Sequence, residues 1–268
     1  MKKKRIFCFL IAMICSSILM SSSISASQNT VYSWYCKRNK DHKQPVADSN
    51  MQWIEKYNGY YIDHLHGDDA ADKVVYLTFD AGYENGNVEK ILDTLKEEGV
   101  PAAFFILDHL VLKNTELVKR IKDDGHLVCN HTKNHKNMTL CTDAEMKKNL
   151  TDLEKIYEER TGYTMDKYFR FPEGYYDERT LSVAEELGYK TVFWSFGYAD
   201  WDNSKQPSAA DAKRKILKNT HNGAVILLHP TSETNAKILG ELIEQWRSLG
   251  YRFGTLAELC DRVDNARK

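Results

Sequence analysis

The feature that most narrows the possible folds is an alternation between two hydrophobic periods, beginning at Val74 and running almost to the C-terminus. Val74-Val75-Tyr76-Leu77-Thr78-Phe79 is an apolar, β-branched run of strand length, and after it Val88, Ile91, Leu92 and Leu95 recur at helical spacing. The same pair of patterns repeats along the chain. Strands are expected over 102–107, 126–130, 168–171, 191–196 and 224–229, and helices over 88–98, 115–124, 142–160, 178–187, 208–219 and 233–249. Strands joined through helices pair in parallel, so the sheet is expected to be mostly parallel with helices outside. At this length a closed or nearly closed α/β barrel is the economical arrangement, and an open doubly wound sheet is the competing one. No repeat or linker divides 74–268, which is expected to be one domain.

Two segments precede it. Met1 to Arg5 is cationic, Ile6 to Met20 is apolar and Ser21 to Ser27 is a tract of mostly small residues, so 1–27 reads as a signal peptide or an N-terminal membrane anchor. Either places the body of the chain outside the cytoplasmic membrane. Residues 28–73 are polar and without a sustained period, carry Trp34 and Trp53, and read as an arm or cap. The whole chain has a formal charge of -1, and the leader holds four basic residues and no acidic one, so the remainder carries -5. A mildly acidic body argues against nucleic acid as a partner. Beyond the leader, Cys36, Cys129, Cys141 and Cys260 are too few and scattered for a small disulfide scaffold, and they leave three pairings open.

In a parallel α/β barrel the carboxyl ends of the strands converge on one face, where chemistry is assembled. The polar residues of interest fall on that rim. The first strand ends at Asp80, the third runs into His131 and His135, Arg170 brackets the fourth, the fifth runs on to Asp200, and the sixth ends at His229. Spacing four apart brings two imidazoles to one face of a helical turn, as divalent-metal sites require, although loop histidines at a surface are the commoner case. Asp80 after Leu77-Thr78-Phe79 reads either as a turn residue or as a carboxylate able to deprotonate a metal-activated water, with Arg170 keeping it ionised. His229 reads either as a satisfied core histidine or, beside Asp200, as a protonated group that delivers its proton to a leaving amine. Trp201 is either core or an apolar wall for a sugar ring.

With these residues in view, the chain resembles the polysaccharide deacetylases (NodB homology, carbohydrate esterase family 4) from about Val74 to Leu259. The motifs come in order: Thr78-Phe79-Asp80, His131-Thr132-Lys133-Asn134-His135, Arg170-Phe171-Pro172-Glu173-Gly174, Asp200-Trp201 and Leu227-Leu228-His229. The resemblance implies a distorted (β/α) barrel that hydrolyses the N-acetyl group of an amino sugar. It implies Asp80 as base, Arg170 as its partner, His229 as acid tuned by Asp200, and the Glu173 N–H as oxyanion donor. It also implies a divalent metal, with zinc the expected ion, held by His131 and His135. The family's usual third ligand, an aspartate after the base, is here Ala81. Phe79-Asp80-Ala81-Gly82-Tyr83-Glu84-Asn85-Gly86, Phe193-Trp194-Ser195 and an arm with Gln44-Pro45 look most like the spore-cortex muramic δ-lactam-forming de-N-acetylases. That likeness implies peptidoglycan glycan strands as partner, with peptide-stripped muramic acid as substrate, and the forespore intermembrane space or cell wall as location. The competing readings are an N-acetylglucosamine or other polysaccharide deacetylase, and a glycan-binding protein that has lost catalysis.

Overall fold

The computed structural model describes residues 30–266, so the expected signal peptide or anchor over 1–27 lies outside the described residues. The first long apolar run becomes β5 (Lys73–Ala81), the central strand of a curled parallel sheet. The arm ahead of it carries β1 (Tyr32–Ser33), β2 (Cys36–Lys37), β3 (Val46–Ala47) and β4 (Gly59–Tyr60). After it come α1 (Val88–Glu98), β6 (Ala103–Ile106), α2 (Asp108–Lys113), α3 (Thr115–Asp123), β7 (Leu127–Asn130), α4 (Asp143–Thr161) and β8 (Asp166–Phe169). The chain continues through β9 (Tyr175–Tyr176), α5 (Glu178–Glu186), β10 (Lys190–Val192), β11 (Phe196–Gly197), α6 (Ala209–Asn219), β12 (Ala224–Leu228), α7 (Glu233–Ser248), β13 (Tyr251–Phe253) and α8 (Leu256–Ala266).

The sheet runs β11-β12-β5-β6-β7-β8-β10-β4, with β13 added beside β5, and every one of its strand pairs is parallel. It is a distorted barrel because its seam is closed by two different pieces. The single strand expected over 191–196 is divided: β10 pairs with β8 and β4, the chain turns through Phe193-Trp194-Ser195, and β11 pairs with β12. Lower in the seam, Ile62 forms an antiparallel bridge with Ala224 and the Asp63 N–H donates to the Gly223 carbonyl. The arm is therefore part of the wall. Its first half does a second job, since β1 pairs with β9 and Trp34 packs on Phe193 with ring centroids 4.4 Å apart.

Alternation along β5 sorts the core. Val75, Leu77, Phe79 and Ala81 face the helix layer, where Ile91, Leu95, Leu239, Ile243 and Trp246 are buried, and Val74 and Tyr76 face the barrel interior with Phe105, Cys129 and Val225. Each fully buried leucine or phenylalanine contributes about 1.5–3 kcal/mol of transfer free energy. The four cysteines of the described residues are free thiols. Among the described residues no helix is long and apolar enough to cross a membrane.

Candidate active site

The rim residues do converge. Asp80 lies one residue from the end of β5, His131 directly follows β7, Arg170 directly follows β8 and His229 directly follows β12. A cleft of about 670 Å³ opens over them and is lined by Asp80, His131, His135, Glu173, Trp201 and His229 together with Tyr83, Tyr175 and Trp194. Arg170 and Asp200 stand behind this lining, Arg170 in contact with Asp80 and His131 and Asp200 in contact with His229.

On one wall, Arg170 is completely buried, at 0% exposure. Its Nη1 donates to Asp80 Oδ1 at 2.7 Å, Nη2 to Thr78 Oγ1 at 2.9 Å and Nε to the Val192 carbonyl at 2.9 Å. The guanidinium also lies 4.1 Å from the Phe105 ring centroid. Burial alone raises the Asp80 carboxyl, but the Arg170 guanidinium, the nearby His131 and His229 and the Arg170 hydrogen bond outweigh it and hold Asp80 below the usual carboxylate range. Asp80 is thus an anion whose orientation is fixed by a planar fork.

Beside it, His131 Nδ1 lies 2.9 Å from the Arg170 carbonyl. A carbonyl only accepts, so Nδ1 carries the hydrogen and Nε2 presents a lone pair. That lone pair faces Asp80 Oδ2 at 3.5 Å. Burial pushes His131 down to about 4, so it is neutral at neutral pH. The His135 ring stands edge-on to it, with centroids 4.9 Å apart. His131 Nε2, Asp80 Oδ2 and the neighbouring His135 ring are donor types that a divalent cation takes, and the hydrogen bond to the Arg170 carbonyl fixes the His131 tautomer as metal-binding histidines require. The reason differs from the one expected. Residues 131–135 are not a helical turn: Thr132 has φ 72° and His135 φ 57°, and this left-handed loop brings the rings together. Among the described residues no group of three His, Cys, Asp or Glu side chains forms a metal cage. Ala81 adds nothing to the cleft, because strand alternation turns its methyl into the helix-facing core.

On the opposite wall, His229 Nδ1 donates to Asp200 Oδ1 at 2.7 Å, and the His229 backbone N–H donates to Asp200 Oδ2 at 2.8 Å. Burial lowers His229, and the Asp200 hydrogen bond and charge, with Asp80 across the cleft, reverse this and raise it above the ordinary histidine value. Its Nε2 side is left toward the cleft. Trp201 stands beside it, 61% exposed and with its ring edge-on at 6.0 Å, so it is a cleft wall and not core.

Glu173 sits in a tight turn at φ 56° and is followed by Gly174 at φ 72°. A Cβ at Gly174 would lie 2.9 Å from Trp194 Cη2 and 3.1 Å from Trp34 Cβ, so the turn can be this tight only with glycine there. The Gly174 N–H donates back to the Phe171 carbonyl at 3.1 Å and closes this turn. The Trp34 N–H donates to the Gly174 carbonyl at 2.9 Å, so the arm buttresses this turn from behind.

Sequence reasoning missed Asn235, Tyr198 and Gln206. Asn235 Nδ2 donates to Asp200 Oδ2 at 2.6 Å, and Gln206 Nε2 donates to the Asp200 carbonyl at 2.7 Å. The missing signal was position: Asn235 falls inside a helical pattern, where an asparagine looks like surface.

Known proteins fit this arrangement. Residues 67–192 match the polysaccharide deacetylase family. The peptidoglycan-N-acetylmuramic acid deacetylase PdaA of Bacillus subtilis is 33% identical, over 91% of this chain and 93% of its own length. The structure of Bacillus subtilis PdaA, a family 4 carbohydrate esterase, superposes with a TM-score of 0.80 at 35% identity, over 85% of this chain and 96% of that one. A peptidoglycan-N-acetylglucosamine deacetylase of Bacillus cereus is 33% identical over 70% of this chain and 88% of its own length. The chain belongs to the polysaccharide deacetylase family, the family 4 carbohydrate esterases, and is a metal-dependent hydrolase of N-acetyl amides.

Proposed function

We propose that this chain removes the N-acetyl group of muramic acid in peptide-stripped peptidoglycan, as a step toward the muramic δ-lactam of spore cortex. The observation that carries the chemistry is one cleft whose two walls bias proton-handling groups in opposite directions: Arg170 holds Asp80 toward its ionised form, and Asp200 holds His229 toward its protonated form. The choice of muramic acid is supported by the likeness to PdaA over nine-tenths of the chain. Secretion or anchoring through 1–27 then delivers the enzyme to the forespore intermembrane space or the cell wall.

Asp80 accepts a proton from the attacking water, whose oxygen adds to the acetamide carbon. The Glu173 N–H donates to the oxyanion that develops there. His229 delivers its proton to the amide nitrogen as the C–N bond breaks, so acetate leaves with the water's oxygen and the sugar keeps a free amine. The proton on Asp80 passes to solvent, and His229 regains one. His131 and His135 would hold a divalent cation, with zinc the expected ion, which would supply Lewis-acid polarisation of the acetamide carbonyl. The freed amine is the group that closes on the lactyl carboxyl, with loss of water, to give the lactam.

The test is acetate release and mass change on peptide-stripped muropeptides, with chelated enzyme compared against enzyme resupplied with zinc. Activity restored by zinc, and a loss of one acetyl group from muramic acid, are expected. Acetyl loss from N-acetylglucosamine instead, as the Bacillus cereus relative's name describes for that protein, would replace muramic acid as the substrate. A folded chain that binds glycan and releases no acetate with any divalent metal would establish the non-catalytic reading.

A further inference from the structure

We propose that Asn235 and Tyr198 are positioning residues: a buried relay that holds the Asp200 carboxylate aligned on His229, although neither lines the cleft. The proposal rests on the reading of His229 as the acid.

The argument begins with Asp200, a carboxylate at 1% exposure that survives there only if its lone pairs are satisfied. His229 supplies a ring N–H and a backbone N–H, and Asn235 Nδ2 supplies a third hydrogen bond. The same Nδ2 also donates to the His229 carbonyl at 3.1 Å. Asn235 therefore grips both members of the pair at once, the carboxylate and the end of the strand that carries the imidazole. Its amide cannot be turned around. Asp200 and the carbonyl only accept, so the nitrogen must face them, and the Tyr198 hydroxyl fills the other side by donating to Asn235 Oδ1.

Each group comes from a rigid or anchored piece of chain. Tyr198 directly follows β11 and stacks on Phe196, His229 directly follows β12, and Asn235 lies in the first turn of α7. The N-cap of that helix, Ser232, accepts the Asn235 backbone N–H at 3.1 Å. Aligned backbone N–H groups at a helix start also favour a nearby anion. The charged and titratable groups that act on His229 are Asp200 on its Nδ1, and Asp80 and Arg170 from β5 and the end of β8. Only Asp200 is in hydrogen-bond contact, so loosening it removes the main support of the imidazolium.

A purely structural role for Asn235, tying down the loop after β12, makes a different prediction: lower stability with an unaltered His229. The experiment is an NMR pH titration of the His229 imidazole in the full chain without substrate, assigned by signal loss in His229→Gln, with kcat and KM measured alongside. Asn235→Ala is expected to lower the His229 midpoint by about one unit and kcat by about tenfold, with KM within about twofold. Tyr198→Phe, which removes only the hydroxyl that locks the amide, shifts both in the same direction by less. A folded Asn235→Ala with a wild-type midpoint overturns the proposal, and if that variant does not fold, an unshifted midpoint in Tyr198→Phe overturns it. The titration needs no turnover, so a wild type inactive on every acetylated glycan counts against the deacetylase reading while the midpoints still decide the relay.

Discussion

Histidine meets buried aspartate at both ends of this barrel, and the two meetings serve opposite ends. At the carboxyl rim, His229 has one nitrogen on Asp200 and its other side on the cleft. At the floor, His66 Nδ1 meets Asp63 Oδ2 at 2.6 Å and Nε2 meets Asp72 Oδ2 at 3.0 Å, so carboxylates engage both nitrogens. Asp63 also accepts from the Tyr76 hydroxyl at 2.7 Å inside the barrel, and Arg252 grips Asp72 and holds it well below the usual carboxylate range. The floor constellation thus ties the arm to β5 and to β13. Residue types do not separate the two sites; an unengaged face toward a cleft does. The first histidine can pass a proton to a substrate, and the second is a staple.

Substituting the two histidines is the most direct way to break the comparison. His229→Gln keeps a donor near Asp200 and removes the group proposed as the acid, so kcat is expected to fall by about 10²–10⁴-fold with little change in melting. His66→Ala is expected to do the reverse. It leaves a carboxylate at 0% exposure without its ring partner, at a cost of about 2–3 kcal/mol, and kcat per folded molecule stays within about twofold. Acetate release and thermal melting on both variants decide it. A His66→Ala enzyme that melts normally and turns over poorly would show that the floor histidine takes part in catalysis.

Acidity sharpens the same contrast with a smaller effect. Asp200 raises His229 above the ordinary value of about 6.5, so its contribution to stability, and its proton-delivering form, are complete below about pH 6.5 and are lost as pH climbs through the raised value. The alkaline limb of kcat/KM should track that loss. In Asp200→Asn the hydrogen-bond shape persists without the charge, burial dominates, and the limb is expected to move about one unit toward acid, roughly tenfold in rate at a fixed alkaline pH. A limb that stays put assigns it to another group.

The rim was the more legible end. Its residues follow apolar runs such as Leu227-Leu228, where a polar residue at a strand end is conspicuous, and the runs themselves located β5, β6, β7 and β12. The floor was not legible, because His66, Asp63 and Asp72 lie in a polar stretch with no period, and Asp72 meets Arg252 only through tertiary folding. The same holds for β4, two residues long, and for β13, three residues long, which exist because neighbouring strands offer edges. At 191–196 a mostly apolar run concealed a switch of partner, since the chain turns from β4 toward β12 through Phe193-Trp194-Ser195. The helices α2 and α8 were also passed over; α2 is only six residues. At 131–135 the two rings do lie side by side, but through two left-handed residues and not the helical turn expected, because sequence separation alone cannot tell the two apart.

The smallest expected effect concerns what the open side of His229 meets. Trp201 follows Asp200 directly, so the backbone that fixes the buried carboxylate also fixes a ring on the cleft wall, 6.0 Å from the imidazole. Tyr83 faces the same cleft from the loop after β5, and its hydroxyl accepts from Asn203 Nδ2 at 2.9 Å. Such a ring offers apolar area to a sugar face and does not touch the proton path. Its removal should therefore weaken ground state and transition state alike: Trp201→Ala is expected to raise KM by about threefold to tenfold and leave kcat within about twofold. The floor has no counterpart, since its histidine is buried at 3% exposure. If kcat falls instead and the alkaline limb shifts with it, the indole is shielding the His229–Asp200 pair from water, and the division between a wall that binds and a pair that reacts would have to be redrawn.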